Sequence, residues 1–418
     1  MKKKCVRGIL TLGLAMCLMG CSSGADELAE LENLEQLEEI AQESVEENAT
    51  ASGTGGSDVP AEYTNLFTGS DFAEGKVWVS NKAEYAELIE ELKKSCEKNL
   101  DGSMIFATDD EMIFAGGWNA TESDGSTIVS PFTTYEIGEM TQSMTAAAIL
   151  QLVQEEKLKL EDTIGTYFPD YPYGDKVKIE NLMYMSSGIP DVMTDPKSFF
   201  ASAANEGKDP EQLGESFKSG EMSEEEFLEY FNDTKVLFEP ESGMGLSGTN
   251  YILLARILEQ VTGQSYEEYM KENIFDVCKM RNSTCIETGN LTSIPIPGGE
   301  EAYRKNGKLC RGVADVHSSP CDMLLFDRAL MAGEVIDYNH LSYVTAPKNM
   351  MSCGWIMMGP NCLLQTGASD GYISLNYIYT VKDKHYYFIL MCPSVERMAF
   401  AQQIDLCISK FVEGLEEQ

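Results

Sequence analysis

The sequence predicts an α+β fold in which both ends of the folded chain form one antiparallel sheet, flanked by helices, around a mostly helical middle region. Three observations predict it. Residues 103–118 have the pattern of two strands around a turn, and residues 372–391 have the pattern of a long hairpin. Between them, residues 161–275 have mainly the apolar spacing of helices. The last part of the chain must therefore return to the sheet that the first part begins.

The first 20 residues have the composition of a lipoprotein signal peptide. Met1–Arg7 is basic, Gly8–Gly20 is a short apolar run, and Leu18-Met-Gly-Cys21 resembles a lipobox. The apolar run is shorter than the roughly 20 residues that span a bilayer. We expect cleavage before Cys21, lipidation of Cys21 and anchoring on the outer face of a bacterial cytoplasmic membrane. A plain secretory signal with a chance cysteine is the alternative.

Residues 21–60 are predicted to be an acidic, Gly/Ser-containing tether. They contain eleven acidic residues and no Lys or Arg, and Ala49–Ser57 consists of small residues that form flexible linkers. Reach from the membrane is the expected role, and a short coiled-coil contact is the alternative. The folded domain is expected to cover residues 61–418.

The composition limits the classes of partner. The chain has 418 residues, 43% of them apolar, which is ordinary for a globular protein. Its formal net charge is −37 and it has no basic patch, so we expect no nucleic-acid partner. An anionic membrane surface would repel the domain, which leaves the lipid on Cys21 as the expected membrane contact.

The cysteine pattern does not predict a disulfide scaffold or a metal site. Nine of the twelve cysteines lie in the folded domain, no C-x-x-C is present, and the three histidines are dispersed. Free buried thiols are the favoured interpretation, with Cys310/Cys321 and Cys353/Cys362 left open as bridges. We expect no metal ion and no cofactor.

The elements follow in order along residues 61–418. The sheet is expected from about residues 98–135 and 350–418, and the helical region from about 139–345. An amphipathic helix is predicted at residues 82–98 and a buried helix at 145–153, where apolar residues occur on nearly all sides. Strands at 372–380 and 384–391 form the predicted hairpin, and residues 399–415 form a closing helix.

A series of motifs resembles the serine β-lactamase-related and penicillin-binding-like hydrolases over roughly residues 98–415. Tyr135–Val153 resembles the active-site helix, which in that family reads Gly-Ser-x-x-Lys. Further matches follow in chain order: Phe168-Pro-Asp-Tyr-Pro, Ile179–Asp191, Phe238-Glu-Pro, Tyr251–Tyr266 and Asp322–Gly333. The resemblance implies a β-lactamase/transpeptidase-like fold.

The catalytic positions implied by this resemblance are all replaced. Glu139 stands at the nucleophilic serine and Gln142 at the lysine that takes its proton. Leu246 and Gly248 stand where Tyr-x-Asn is expected, and Gln365 stands at the first position of His-x-Gly. Loss of one central catalytic residue lowers turnover on the order of a million-fold, so loss of the whole set predicts an inactive protein.

The residues at the former catalytic positions are compatible with the local helix and would leave the site without its chemistry. A carboxylate near a helix N-terminus is favoured by about 0.3–1 kcal/mol, and the i, i+3 spacing allows Glu139 and Gln142 to hydrogen-bond. The predicted ligand cleft consists of the residues at or beside the former motifs: Glu139, Gln142, Ser247, Gln365, Thr366 and Gly367.

The favoured interpretation is a lipid-anchored pseudoenzyme whose cleft binds a cell-wall-derived or peptide-like ligand, or that docks on a protein partner. The alternative is an active serine hydrolase with rearranged catalytic groups, of esterase, D-amino-acid peptidase or β-lactamase type. A second alternative is a purely structural envelope lipoprotein whose cleft is filled. An open, solvated cleft would distinguish the first from the third, and a nucleophile that reacts would identify the second.

Overall fold

The computed structural model describes residues 60–67, 70–73, 77–99, 102–118, 129–285, 309–346, 348, 350–369, 372–392 and 398–416. The predicted signal peptide (1–20), Cys21 and all but the last residue of the tether (21–60) lie outside these ranges. Within them, no helix combines the length and the apolar character that crossing a membrane requires.

Nine antiparallel strands form the main sheet, in the order β1-β2-β4-β3-β12-β11-β10-β9-β8. Neighbours are therefore drawn from both ends of the chain, and β3 pairs directly with β12. Strands β5, β6 and β7 form a separate small sheet. The bounds are β1 Ser70–Ala73, β2 Val77–Ser80, β3 Gly102–Thr108, β4 Met112–Trp118, β5 Tyr135–Glu136, β6 Thr284–Cys285, β7 Val316–Ser318, β8 Met351–Ser352, β9 Trp355–Gly359, β10 Cys362–Ser369, β11 Tyr372–Val381 and β12 Lys384–Cys392.

Helices fill the chain between the two groups of strands and close its C-terminal end. Short 3₁₀ helices lie at Ala61–Phe67, Ala83–Tyr85, Gly138–Met140 and Ile164–Thr166, and a π-helical turn at Lys271–Phe275. The α-helices are α1 Ala86–Asn99, α2 Thr141–Gln154, α3 Ile179–Met183, α4 Pro196–Phe199, α5 Ala201–Asn205, α6 Pro210–Lys218, α7 Glu224–Asp233, α8 Gly248–Thr262, α9 Tyr266–Met270, α10 Asp276–Cys278, α11 Pro320–Met331, α12 Tyr338–Thr345 and α13 Met398–Glu416.

The strand register places helices on both faces of the main sheet. Phe106 on β3 packs edge-on against Phe411 of α13, which covers one face together with α1. Asn376 on β11 faces the other way, because it pairs with Ile389 whereas Phe106 pairs with the adjacent Phe388. Its side-chain amide donates to Asp327 of α11 at 3.0 Å. The sheet is thus the middle layer of three.

The predicted fold class is confirmed: a large antiparallel sheet drawn from both chain ends is flanked by helices around a mainly helical middle. Two features differ from the expected boundaries. Strands β1 and β2 add residues before position 98 to the main sheet, and the small sheet lies partly inside the predicted helical region. Strands of two to four residues contain too few alternations for a periodic signal.

The nine cysteines of the folded domain are free thiols, including the two pairs left open as bridges. Only Cys362 and Cys407 are partly exposed, and the other seven are buried. A thiol must both reach an alkylating reagent and ionise to react, and burial raises the pKa of Cys407 and, far more strongly, of Cys362. Native protein should therefore label first at Cys407, more slowly at Cys362, and at the other seven only after unfolding. Peptide mass mapping after iodoacetamide treatment measures this. Rapid native labelling of Cys310 or Cys353 would contradict the packing.

Candidate functional site

The site begins where strand β10 meets the chain that enters α2. Gly138 has φ +54°, a left-handed conformation that glycine adopts without strain. Gly367 of β10 lies so close to this segment that a Cβ atom would stand 1.9 Å from the carbonyl oxygen of Ile137. Ser374 of β11 donates its hydroxyl to the same carbonyl at 2.9 Å. These contacts hold the 3₁₀ helix Gly138–Met140, and therefore Glu139, against the edge of β10.

A pocket of about 260 Å³ opens at this junction. Segments from six parts of the chain form it: the start of α2, the loop after α3, the start of α8, the segment before β7, the β8–β9 hairpin and β10. It is lined by Glu139, Gln142, Met185, Asp191, Met193, Thr194, Leu246, Ser247, Gly248, Val313, Met351, Gly354, Ile356, Gln365 and Thr366.

The carboxyl group of Glu139 is bound by a main-chain N–H group of β10. The N–H of Ala368 donates to its Oε2 at 3.0 Å, and the main-chain N–H of Glu139 itself also favours the ionised form of the carboxyl group. Burial raises the pKa of the Glu139 carboxyl to about 7, these two N–H groups oppose the rise, and the nearby Asp191 carboxylate adds to it. The side chain therefore changes charge near neutral pH.

The side chain of Gln365 is held in one orientation by main-chain carbonyl groups. Gln365 is buried, and its Nε2 donates to the carbonyl oxygens of Met140 at 3.2 Å and Gly354 at 3.1 Å. These two acceptors fix the orientation of the amide, and its Oε1 has no hydrogen-bond partner within the described structure. The spacing allows a hydrogen bond between Glu139 and Gln142, but the carboxylate bonds to the main chain of Ala368 on β10 instead.

The opposite wall is organised by Asp191. Its Oδ1 accepts the N–H groups of Met193 and Thr194, each at 2.7 Å, and its Oδ2 accepts the N–H of Gly248. This carboxylate therefore joins the loop after α3 to the first residue of α8. Ser247 beside it is buried, and its Oγ has no partner among the residues that the structure describes.

The structure brings most of the sequence-predicted site residues together. Glu139, Gln142, Leu246, Ser247, Gly248, Gln365 and Thr366 all line the pocket, whereas Gly367 contacts Ile137 behind it. Sequence reasoning missed Asp191 and Ala368. Asp191 ends a segment that matched the family pattern, and this match was its one signal; Ala368 acts through its main chain, which leaves no side-chain signal.

Among the described residues, no hydroxyl group that lines the pocket is activated as a nucleophile. Three hydroxyl groups line the pocket, those of Thr194, Ser247 and Thr366. In the part of the chain that is described, none is hydrogen-bonded to an acidic, basic or phenolic side chain that could take its proton. Across the same ranges, no group of three or more His, Cys, Asp or Glu side chains is arranged to hold a metal ion.

Comparison with known proteins identifies relatives. Residues 88–350 match the Beta-lactamase family. The penicillin-binding protein PbpX of Bacillus subtilis (strain 168) is 23% identical over 288 residues, which are 67% of this chain and 68% of that protein. Penicillin-binding protein 4* of the same organism is 27% identical over 293 residues, 65% of this chain and 61% of that protein. This chain thus spans less than two thirds of the second relative.

A penicillin-binding protein of Bacillus halodurans has a similar fold, with a TM-score of 0.59 at 18% identity over 77% of this chain and 98% of that one. The identity is too low to transfer activity, because activity depends on the site. The family match covers more than half of the chain and includes α2, the loop after α3 and the start of α8. The chain therefore belongs to the Beta-lactamase family.

Proposed function

We propose that this protein is a catalytically silent member of the family that binds a small, cell-wall-derived or peptide-like ligand in the pocket beside Glu139. One observation carries the proposal. Serine hydrolases use main-chain N–H groups to bind the oxyanion that develops on the substrate. Here the N–H group of Ala368 on β10 is used by the carboxylate of Glu139 itself.

The pocket supports ligand binding over a purely structural role. A filled cleft would place Glu139, Ser247 and Gln365 in contact with one another, but they line an opening of about 260 Å³. The rearranged-hydrolase alternative has less support, because no pocket hydroxyl group in the described ranges is hydrogen-bonded to a base. The lipobox-like segment ending at Cys21, together with relatives named penicillin-binding proteins, supports anchoring on the outer face of a bacterial membrane.

The full chain is expected to form no adduct with a fluorophosphonate or a penicillin, because the serine position holds Glu139. The measurement is intact mass after incubation with excess reagent. The double variant Glu139→Ser, Gln142→Lys restores the missing hydroxyl and amine and is the matched comparison. The asparagine of the family's Tyr-x-Asn motif is not restored at Gly248, because a Cβ atom there would stand 2.8 Å from Val313 and 2.9 Å from Met193.

The outcomes separate the alternatives. If the reagents label the double variant but not the native protein, the cleft is retained and lacks only its catalytic groups. A stoichiometric adduct on a native serine, located by peptide mapping, would overturn the proposal and identify the nucleophile of an active hydrolase. An active serine hydrolase incubated in parallel confirms that the reagents are reactive.

A further inference from the structure

The charged side chains that line the pocket, among the described residues, are all acidic. Two of its lining side chains are carboxyl groups, Glu139 and Asp191, and none of its described lining residues is Lys, Arg or His. The charge on Asp191 is partly offset by the three N–H groups that it accepts. Glu139 uses one oxygen for Ala368, and a carboxylate has about four lone-pair positions, so it can accept further donors.

Unused polar atoms of buried side chains provide an independent observation. Gln365 and Ser247 are each 2% exposed and line the pocket, yet Gln365 Oε1 and Ser247 Oγ have no partner within the described residues. Burying a polar group without a partner is unfavourable, so such atoms indicate a missing hydrogen-bond donor. The Gln365 amide cannot rotate to present its nitrogen instead, because Nε2 already donates to two carbonyl groups.

The rest of the wall is apolar and the volume is small. Typical ligand clefts measure about 300–1,000 Å³, so a pocket of about 260 Å³ fits a compact molecule. Six apolar side chains would contact the body of such a ligand: Met185, Met193, Leu246, Val313, Met351 and Ile356. Methionine side chains adapt to varied shapes, which suits an apolar group of moderate size.

We propose that the pocket binds a small ligand with a protonated primary amine on a short apolar body, and that it discriminates against carboxylates. This inference rests on the proposed function and names its ligand class. An ammonium group has three donors and no acceptor, which complements Glu139, Gln365 Oε1 and Ser247 Oγ. A carboxylate would face two carboxyl groups, with no Lys, Arg or His among the described lining residues, and repulsion would select against it.

The test is calorimetric titration of the full chain with benzylamine, benzyl alcohol and benzoate, which have similar size and differ in charge. Benzylamine is expected to bind at least about tenfold more tightly than benzyl alcohol, with no measurable binding of benzoate. Glu139→Gln should lose at least about tenfold of the benzylamine affinity. Glu229→Gln, which removes an exposed carboxylate on α7, should leave this affinity unchanged.

Proton linkage provides a readout that a merely structural role would not change. The pKa of Glu139 is about 7, and Asp191 is the other charged side chain that lines the pocket in the described structure. A bound ammonium favours the ionised form of Glu139, so binding should release protons below neutral pH. Because the ionised fraction limits the apparent affinity, affinity should rise about tenfold between pH 6 and pH 8. Glu139→Gln should abolish both effects.

Benzoate binding as tightly as benzylamine, or binding of none of the three probes, would overturn the inference. These results differ from a failure of the proposed function, which is a covalent adduct on a native serine. Tight benzylamine binding that Glu139→Gln leaves unchanged would also overturn it, since the amine would then lie elsewhere.

Discussion

Gly367→Ala is expected to destabilise the protein by at least about 3 kcal/mol, a large fraction of a typical domain stability of about 5–15 kcal/mol. The added Cβ atom would stand 1.9 Å from the carbonyl oxygen of Ile137, and 2.6 Å from the hydroxyl oxygen of Ser374. The first contact is with main chain, which cannot rotate away as the end of a flexible side chain can. Either β10 or the segment before Glu139 must therefore move.

Urea denaturation measures this effect as a shift of the unfolding midpoint. Gly414→Ala is the matched control, because Gly414 lies in α13 and its Cβ position meets no described heavy atom within 4 Å. Alanine favours a helix over glycine by about 0.5–1 kcal/mol, so the control should be slightly stabilised. A free energy of unfolding for Gly367→Ala within about 1 kcal/mol of the wild type would show that the strand edge is adaptable.

Glu139→Gln is expected to stabilise the protein at alkaline pH and to have little effect at acidic pH. The pKa of the Glu139 carboxyl is about 7 in the folded state, raised mainly by burial, against about 4.3 in an unfolded chain. Folding therefore favours the protonated form. The stabilising contribution of this group to the free energy of unfolding is full below about pH 4. It falls as pH rises through 7 and stays low above that.

The expected size follows from about 1.4 kcal/mol per pKa unit, which gives a difference of about 4 kcal/mol between the ends of this range. Glutamine does not titrate and still offers a carbonyl oxygen to the N–H of Ala368. Denaturation curves of both proteins from about pH 4 to pH 9 measure the difference. Burial also raises the pKa of Asp315 to about 8 and of Asp405 to about 6, but both groups are present in the two proteins and cancel.

Exposed Glu229→Gln is the control and should show no pH-dependent difference from the wild type. The difference in free energy of unfolding between Glu139→Gln and the wild type could instead be constant with pH, or favour the wild type at high pH. Either result would mean that the carboxylate is charged and well stabilised in the folded protein. The two N–H groups would then outweigh the burial of the side chain.

Long elements with strong periodicity were predictable from the sequence. The predicted strands at 372–380 and 384–391 correspond to β11 and β12, and the predicted closing helix at 399–415 to α13. Strands β1 and β2 were missed because each has four residues and their pairing is determined by partners distant in the chain. The site residues were predicted from motif positions. These residues lie close together in space because the fold of the family brings them to one sheet edge.

The amino-acid sequence alone determined which functional groups the site lacks: no serine at position 139, no lysine at 142 and no tyrosine at 246. Residue identity needs no coordinates. The tertiary structure decided how the replacements are used. Glu139 bonds to the main chain of Ala368, 229 residues away, and Asp191 ties its loop to the start of α8. Such contacts depend on main-chain direction and on burial at the edge of β10, and neither leaves a pattern in a single sequence.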